Sequence, residues 1–287
     1  MRYAAPDNAV EAVALLAGEQ GLSRVLAGGS DILVQLKAGM LNPDLLVDIK
    51  RIPGMNDIVP EDGGFRIGAA VSGAKLGEHS GVKAIWPGIV EAFELIGSTQ
   101  VQGRATMAGN LCNASPAADS VPAMIAGGAI ARVIGPNGER DCPVQDIPVS
   151  PGRTSLVKGE FISSIFLPAR GENASDAYLR FIPRTEMDIA VVSAGVALEF
   201  DNSGLCSNAR VALGAIAPTV LLVEAAGDCL VGTKLDDDAL SVLGQNCRDA
   251  ASPIDDKRGT IEFRTDVVGV LAQRAAKIAQ SRAGDKS

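Results

Sequence analysis

Between Arg104 and Ala126 the chain reads RATMAGNLCNASPAADSVPAMIA, and its first dozen residues make neither a good strand nor a good helix. Gly109 frees the backbone, Asn110, Asn113 and Ser115 offer short hydrogen-bonding side chains, and Pro116 stops a helix at the preceding turn. A loop of this composition suits wrapping around a polar ligand. After it, Asp119 or Ser120 is placed to cap a short helix with Val121, Met124 and Ile125 on its apolar face. Amide N–H groups would then face the loop, a geometry that favours an anion. Taken alone, the stretch reads equally well as a surface loop leading into an Ala/Gly-rich helix.

A second stretch, LAGGSDILVQLKAG, starts at Leu26. A short strand at Arg24–Leu26 breaks at Gly28-Gly29 and gives way to Ile32, Leu33 and Leu36 at helical spacing. A Gly-Gly pair by itself signals only a tight turn. Ser30-Asp31 immediately after it puts a cap and several unpaired amides at a helix start, the arrangement that holds phosphate. Neither GxGxxG nor GxxxxGK[ST] is present, so the chain carries neither dinucleotide fingerprint nor P-loop.

Composition limits what such loops can bind. A net charge of −8 argues against nucleic acid or an anionic membrane as the main partner, so any phosphate must be held locally by amides. The five cysteines show no Cys-x-x-Cys spacing and the one histidine is His79, which argues against a metal or iron–sulfur site in this chain. With 287 residues, 47% of them hydrophobic, the chain can bury two domain cores. No leader-like segment or 18-residue apolar run occurs, and reduced thiols make the cytoplasm the expected compartment.

The rest of the pattern is mixed helix and strand. Asn8 and Glu11 stand at capping-box spacing before a short amphipathic helix, and Leu45–Ile49 and the segment from Phe65 read as strands. Lys83–Ile96 reads as a buried helix interrupted by Pro87, residues 127–142 as a hairpin, and Phe161–Pro168 as a strand. The segment ARGENASD, 169–176, lacks apolar periodicity and marks a domain boundary near 172. Beyond it come three strands, then helices expected at Val220–Ala226, Asp237–Ala250 and from Thr260 to about Arg282.

Together the two loops, in this order, resemble the FAD-binding loops of the medium subunit of molybdenum hydroxylases, the xanthine dehydrogenase and carbon monoxide dehydrogenase family. RTSLVKGEFISSIFLP, YLRFIPRTEMDIAVVSAGVAL and RGTIEFRTDVVGVLAQRA extend the likeness over nearly the whole chain. The resemblance implies an α+β fold. A PCMH-type (vanillyl-alcohol-oxidase-like) FAD domain over 1–171, of two α+β subdomains at about 1–52 and 53–171, would precede a small C-terminal α+β domain over 172–287 with a three-stranded antiparallel sheet. It also implies partners: a small subunit with [2Fe–2S] clusters and a large molybdopterin subunit, assembled as a dimer of heterotrimers. The flavin would pass electrons to NAD, a quinone or oxygen.

Carried over by residue, the resemblance lays the amides of Ala27, Gly28, Gly29, Ser30 and Asp31 on the pyrophosphate, with Ile32 and Leu33 on apolar parts of the cofactor. From the second loop Thr106, Gly109, Asn110, Ser115 and Asp119 match positions contacting flavin, pyrophosphate and ribose, Asp119 suiting a ribose hydroxyl. Ile162 matches an apolar contact, and Arg180 a basic residue near the isoalloxazine that would stabilise the reduced anion. The family commonly has a double glycine where this chain has Ala108-Gly109. No covalent histidyl link is expected, and no residue is assigned proton transfer. The competing readings are a non-redox scaffold subunit and a stand-alone oxidase, the latter disfavoured because Tyr3 and Tyr178 fall outside the cofactor motifs.

Overall fold

A computed structural model of the protein describes residues 1–284. The N-terminal segment folds as two strand–helix–strand steps. Strands Arg2–Ala4, Ser23–Leu26 and Leu45–Asp48 are parallel, with Leu45–Asp48 central and all four of its residues buried. Helix Ala9–Gly18 links the first two, and Asn8 accepts the Glu11 N–H at its start. Helix Ile32–Lys37 links the second to the third. A run such as LLVD suits the middle of a parallel sheet, where both faces are covered.

The next unit is a five-stranded antiparallel sheet ordered Ile58–Glu61, Gly64–Gly68, Phe161–Leu167, Ile130–Gly135, Gly138–Pro143. Its central strand is made last. The sequence reading missed Ile58–Glu61, whose Pro60 cannot donate to a ladder and is tolerated because this strand forms the sheet edge. Six short helices lie between the second and fourth of these strands in sequence. As predicted, Pro87 divides a helical region: one helix ends at Ile85 and the next begins with Pro87 in its first turn, where a missing N–H costs nothing.

Strands Ala174–Phe181, Val192–Phe200 and Cys206–Gly214 form an antiparallel meander, the three strands expected beyond the domain boundary. The helix expected at Val220–Ala226 is corrected: Leu221–Leu222 adds a two-residue fourth strand and only Glu224–Asp228 is helical. Helix Asp237–Asp249 follows, and helix Ile261–Gly284 lays Ala272, Ala275, Ala276, Ala279 and Ala283 on the sheet. Small side chains there let the helix sit close to the strands.

The other face of that sheet carries helix Ser120–Ala126, which is buried on all seven residues rather than amphipathic as expected. A Cβ on Gly195 would lie 2.7 Å from the Pro122 carbonyl oxygen, so backbone packs on backbone. Asp176 joins the halves at a second point. Its Oδ2 accepts the Ile89 N–H at 3.0 Å and its Oδ1 accepts from Arg170 at 2.9 Å, while Arg282 Nη1 donates to Glu91 Oε2 and to the Asp176 carbonyl, each at 3.0 Å.

Candidate cofactor site

The first loop leaves its amides unused. Among the described residues no hydrogen bond engages the backbone N–H groups of Ala27, Gly28, Gly29, Ser30, Asp31 or Ile32, although Leu33 and Gln35 donate back to the carbonyls of Gly29 and Asp31. Gly29 makes the turn at φ +85, a left-handed conformation that a side chain disfavours. Asp31 begins the helix without bonding to it, so the expected side-chain cap is absent. Leu33 is half exposed. Six amides without partners cannot stay dry at low cost; they fit an anion with several acceptor oxygens, such as a pyrophosphate.

A short relay fixes the root of this loop. Lys50 Nζ donates to the Ala27 carbonyl at 3.2 Å and to Asp48 Oδ2 at 2.7 Å, and the Tyr3 hydroxyl donates to the same carboxylate oxygen at 2.7 Å. Burial works against the Asp48 charge, but the Lys50 and Tyr3 donors outweigh it and its pKa is lowered. The Lys50 charge is thereby neutralised beside the loop rather than aimed into it.

Gly28 meets the second loop directly. A Cβ there would stand 1.9 Å from the Arg104 carbonyl oxygen, so the reason for glycine is contact between the two loops. Asn113 Nδ2 donates to Asp31 Oδ1 at 3.2 Å, and Gln35 Nε2 donates to Asn113 Oδ1 at 3.4 Å. The resemblance assigns neither Gln35 nor Asn113 to the site; the short polar side chain of Asn113 is the one local signal for it.

The second loop is more ordered than its composition implies. Met107–Cys112 is a helix, with the Thr106 hydroxyl accepting the Gly109 N–H at 3.0 Å. Ala108 is buried inside it. Burial pushes the Cys112 thiol up to about 12, so it is neutral at physiological pH. Ser115 accepts the Ala117 N–H in a turn. Ile162 is buried on the Phe161–Leu167 strand against which Met107–Cys112 packs.

Asp119 does not cap the helix it precedes. The side-chain Oδ1 of Asn110 takes that part, accepting from Ser120 N at 3.3 Å and Ser120 Oγ at 2.7 Å. The Asp119 carboxylate turns to the C-terminal sheet, where Oδ1 accepts from the Tyr178 hydroxyl at 2.8 Å and Oδ2 from Arg180 Nη1 at 2.7 Å. Burial pushes Asp119 up to about 6 against these donors. Arg180 is not a solvated strand-end arginine: its side chain is 4% exposed. Tyr178, which lies outside the cofactor motifs, joins Arg180 in tying the second loop to the sheet.

Among the described residues no helix is long and apolar enough to cross a membrane, and no cluster of His, Cys, Asp or Glu could hold a metal ion. Arg184 and Asp188 pair at 3.0 Å, and the His79 ring packs on Phe65 and accepts the Val82 N–H.

Residues 1–170 match the family described as FAD binding domain in molybdopterin dehydrogenase, and residues 177–279 the CO dehydrogenase flavoprotein C-terminal domain. The chain is 32% identical to the carbon monoxide dehydrogenase medium chain of Afipia carboxidovorans, over 98% of this chain and 97% of the relative. It is 28% identical to the xanthine dehydrogenase FAD-binding subunit of Escherichia coli O157:H7, over 96% and 94%. The solved CO dehydrogenase from Oligotropha carboxidovorans contains a chain of the same fold, with a TM-score of 0.94, 31% identity and 98% coverage of both. An unpartnered amide loop, a second loop closed on it and both domains in order therefore have one common explanation: the chain belongs to the family of FAD-binding medium subunits of molybdenum hydroxylases, an oxidoreductase family.

Proposed function

We propose that the chain binds FAD non-covalently between the two loops and relays electrons from [2Fe–2S] clusters on a partner subunit to NAD, a quinone or oxygen. The observation that carries this reading is the row of unpartnered amides from Ala27 to Ile32, closed on one side by the Arg104–Asn113 loop. Bound there, FAD supplies exchange between two-electron and one-electron chemistry. The residues of this chain bind and orient. Ala27, Gly28, Gly29, Ser30 and Asp31 offer amides to the pyrophosphate, while Ile32 and Leu33 offer apolar surface and the buried Ile162 backs the second loop. Thr106, Gly109, Asn110, Ser115 and Asp119 line the second loop, and Arg180 brings a cation already paired with Asp119.

The small iron–sulfur and large molybdopterin subunits are the proposed partners, in a dimer of heterotrimers located in the cytoplasm. The organic substrate is oxidised on the large subunit. The domain boundary is proposed at 171/172, with subdomains meeting at about 52/53; the last three residues of the proposed 172–287 domain lie outside the described residues. The test is direct: the purified chain should release FAD on denaturation, and the deflavinated chain should take it up again with one site per chain. A chain that neither releases nor rebinds FAD would refute the reading.

A further inference from the structure

Tyr178 and Arg180 stand two residues apart on one strand and therefore on one face of the sheet, and both reach the carboxylate of Asp119. Tyr178 is 2% exposed. Arg180 Nε is buried without a hydrogen-bond partner. Among the described residues Asp119 is the one anion bonded to this guanidinium, whose other contact is the Asp188 carbonyl at 3.5 Å. The charge at this end of the site thus depends on whether Asp119 is ionised and turned onto Arg180. One phenolic hydroxyl governs both, because it holds the oxygen that Arg180 does not use.

We propose that Tyr178 is a positioning residue of the cofactor site: by bonding Asp119 Oδ1 it keeps the carboxylate an anion locked on Arg180, so the flavin nucleotide meets a neutral ion pair rather than a bare guanidinium. The inference rests on the reading of Asp119 and Arg180 as cofactor-site residues. The groups that act on Asp119 are Arg180 and Tyr178. Of the others on elements packed against the Ser120–Ala126 helix, Arg210 bonds the Ile125 and Ala126 carbonyls at its far end, and Glu91 and Glu94 are taken by Arg282 and Lys83. Glu199 lies at the far end of its strand and acts on Arg170, and burial keeps Cys206 a neutral thiol. Cys112 is a neutral thiol, Asp176 is bonded to Arg170, and Asp146 lies past the hairpin beyond the helix.

Hydrogen bonding to the charged form favours that form, so loss of the Tyr178 hydroxyl raises the pH at which Asp119 gives up its proton. The test is titration of the deflavinated full chain with FAD, read by flavin fluorescence, across about pH 5 to 9. The wild-type dissociation constant should change slope near pH 6. In Tyr178→Phe, which keeps the buried ring, the inflection should move up by about one unit, a roughly tenfold change in proton affinity. In Asp119→Asn the inflection should vanish, and adding Tyr178→Phe should change nothing further. An unmoved inflection in a Tyr178→Phe chain that binds FAD overturns this inference alone, as does an inflection that survives in Asp119→Asn. A wild-type chain that binds no FAD overturns the cofactor reading, and this inference with it.

Discussion

A methyl group on residue 28 would stand 1.9 Å from the Arg104 carbonyl oxygen, and backbone cannot retreat from it as a flexible side chain could. Gly28→Ala is therefore expected to cost about 1–3 kcal/mol of stability through overpacking and to abolish FAD uptake as the loops separate. Urea unfolding and FAD titration of the same variant check both halves. Asn113→Ala removes only an exposed tie between the loops, so FAD affinity should fall several-fold while the urea midpoint stays within about 0.5 kcal/mol of wild type. Asp119 gives a signed pH effect. Folded, it holds its proton up to about pH 6; unfolded, it releases it near about pH 4, so between these values the native state binds more protons. Its contribution to stability is present below that window and lost as pH rises through it. Asp119→Asn should remove this downward slope from the stability of the deflavinated chain between about pH 4 and 6, whatever its constant offset. Glycines, prolines and short polar side chains made both loops readable in the sequence. Tyr178 was not readable, because it meets Asp119 across 59 residues and no local motif marks it.

At the scale of elements, turn signals between apolar runs marked the long strands, and Pro87 marked a break in a helical region. The reading failed where a side chain from elsewhere supplied what local chemistry lacked. Met107–Cys112 contains glycine and asparagine, both poor helix formers, yet it is helical because Thr106 caps it and the sheet covers it. Ser120–Ala126 was expected to have one apolar face, but the C-terminal sheet packs on it too, and Asn110 rather than Asp119 satisfies its first amide. Pro87–Glu94 depends in the same way on Asp176, which accepts the Ile89 N–H from another sheet. Burial raises the Asp176 pKa, and Arg170 opposes that rise. Asp176→Ala would strand the Arg170 guanidinium, whose side chain is 4% exposed, and should cost about 3–5 kcal/mol by urea unfolding.

Among the described residues there are two hydrophobic cores, and the N-terminal one is completed by the C-terminal part of the chain. Tyr178, Ala212 and Val220 come from the C-terminal part of the chain but pack in the core of the N-terminal part. Trp86 lies at this seam, its Nε1 bonded to the Pro168 carbonyl at 3.0 Å and its ring 4.1 Å below the Arg170 guanidinium. The tryptophan fluorescence and far-UV circular dichroism of the deflavinated chain should therefore share one urea midpoint; two separated transitions would show that the cores unfold independently.

The Gly28–Arg104 contact also sets an order of events in time. When Ala27–Ile32 leaves the ribosome, the residues that close over it have yet to be made: Asn113 lies 82 positions after the Asp31 it bonds. The strand that supports the second loop, Phe161–Leu167, has to slot between two strands already synthesised, and Tyr178 and Arg180 come later still. A nascent chain thus carries half a clasp with nothing to shut it. If the proposed site is right, FAD loading follows synthesis of the sheet that holds Arg180, and a ribosome-stalled chain ending before that sheet should be a poor acceptor for the cofactor.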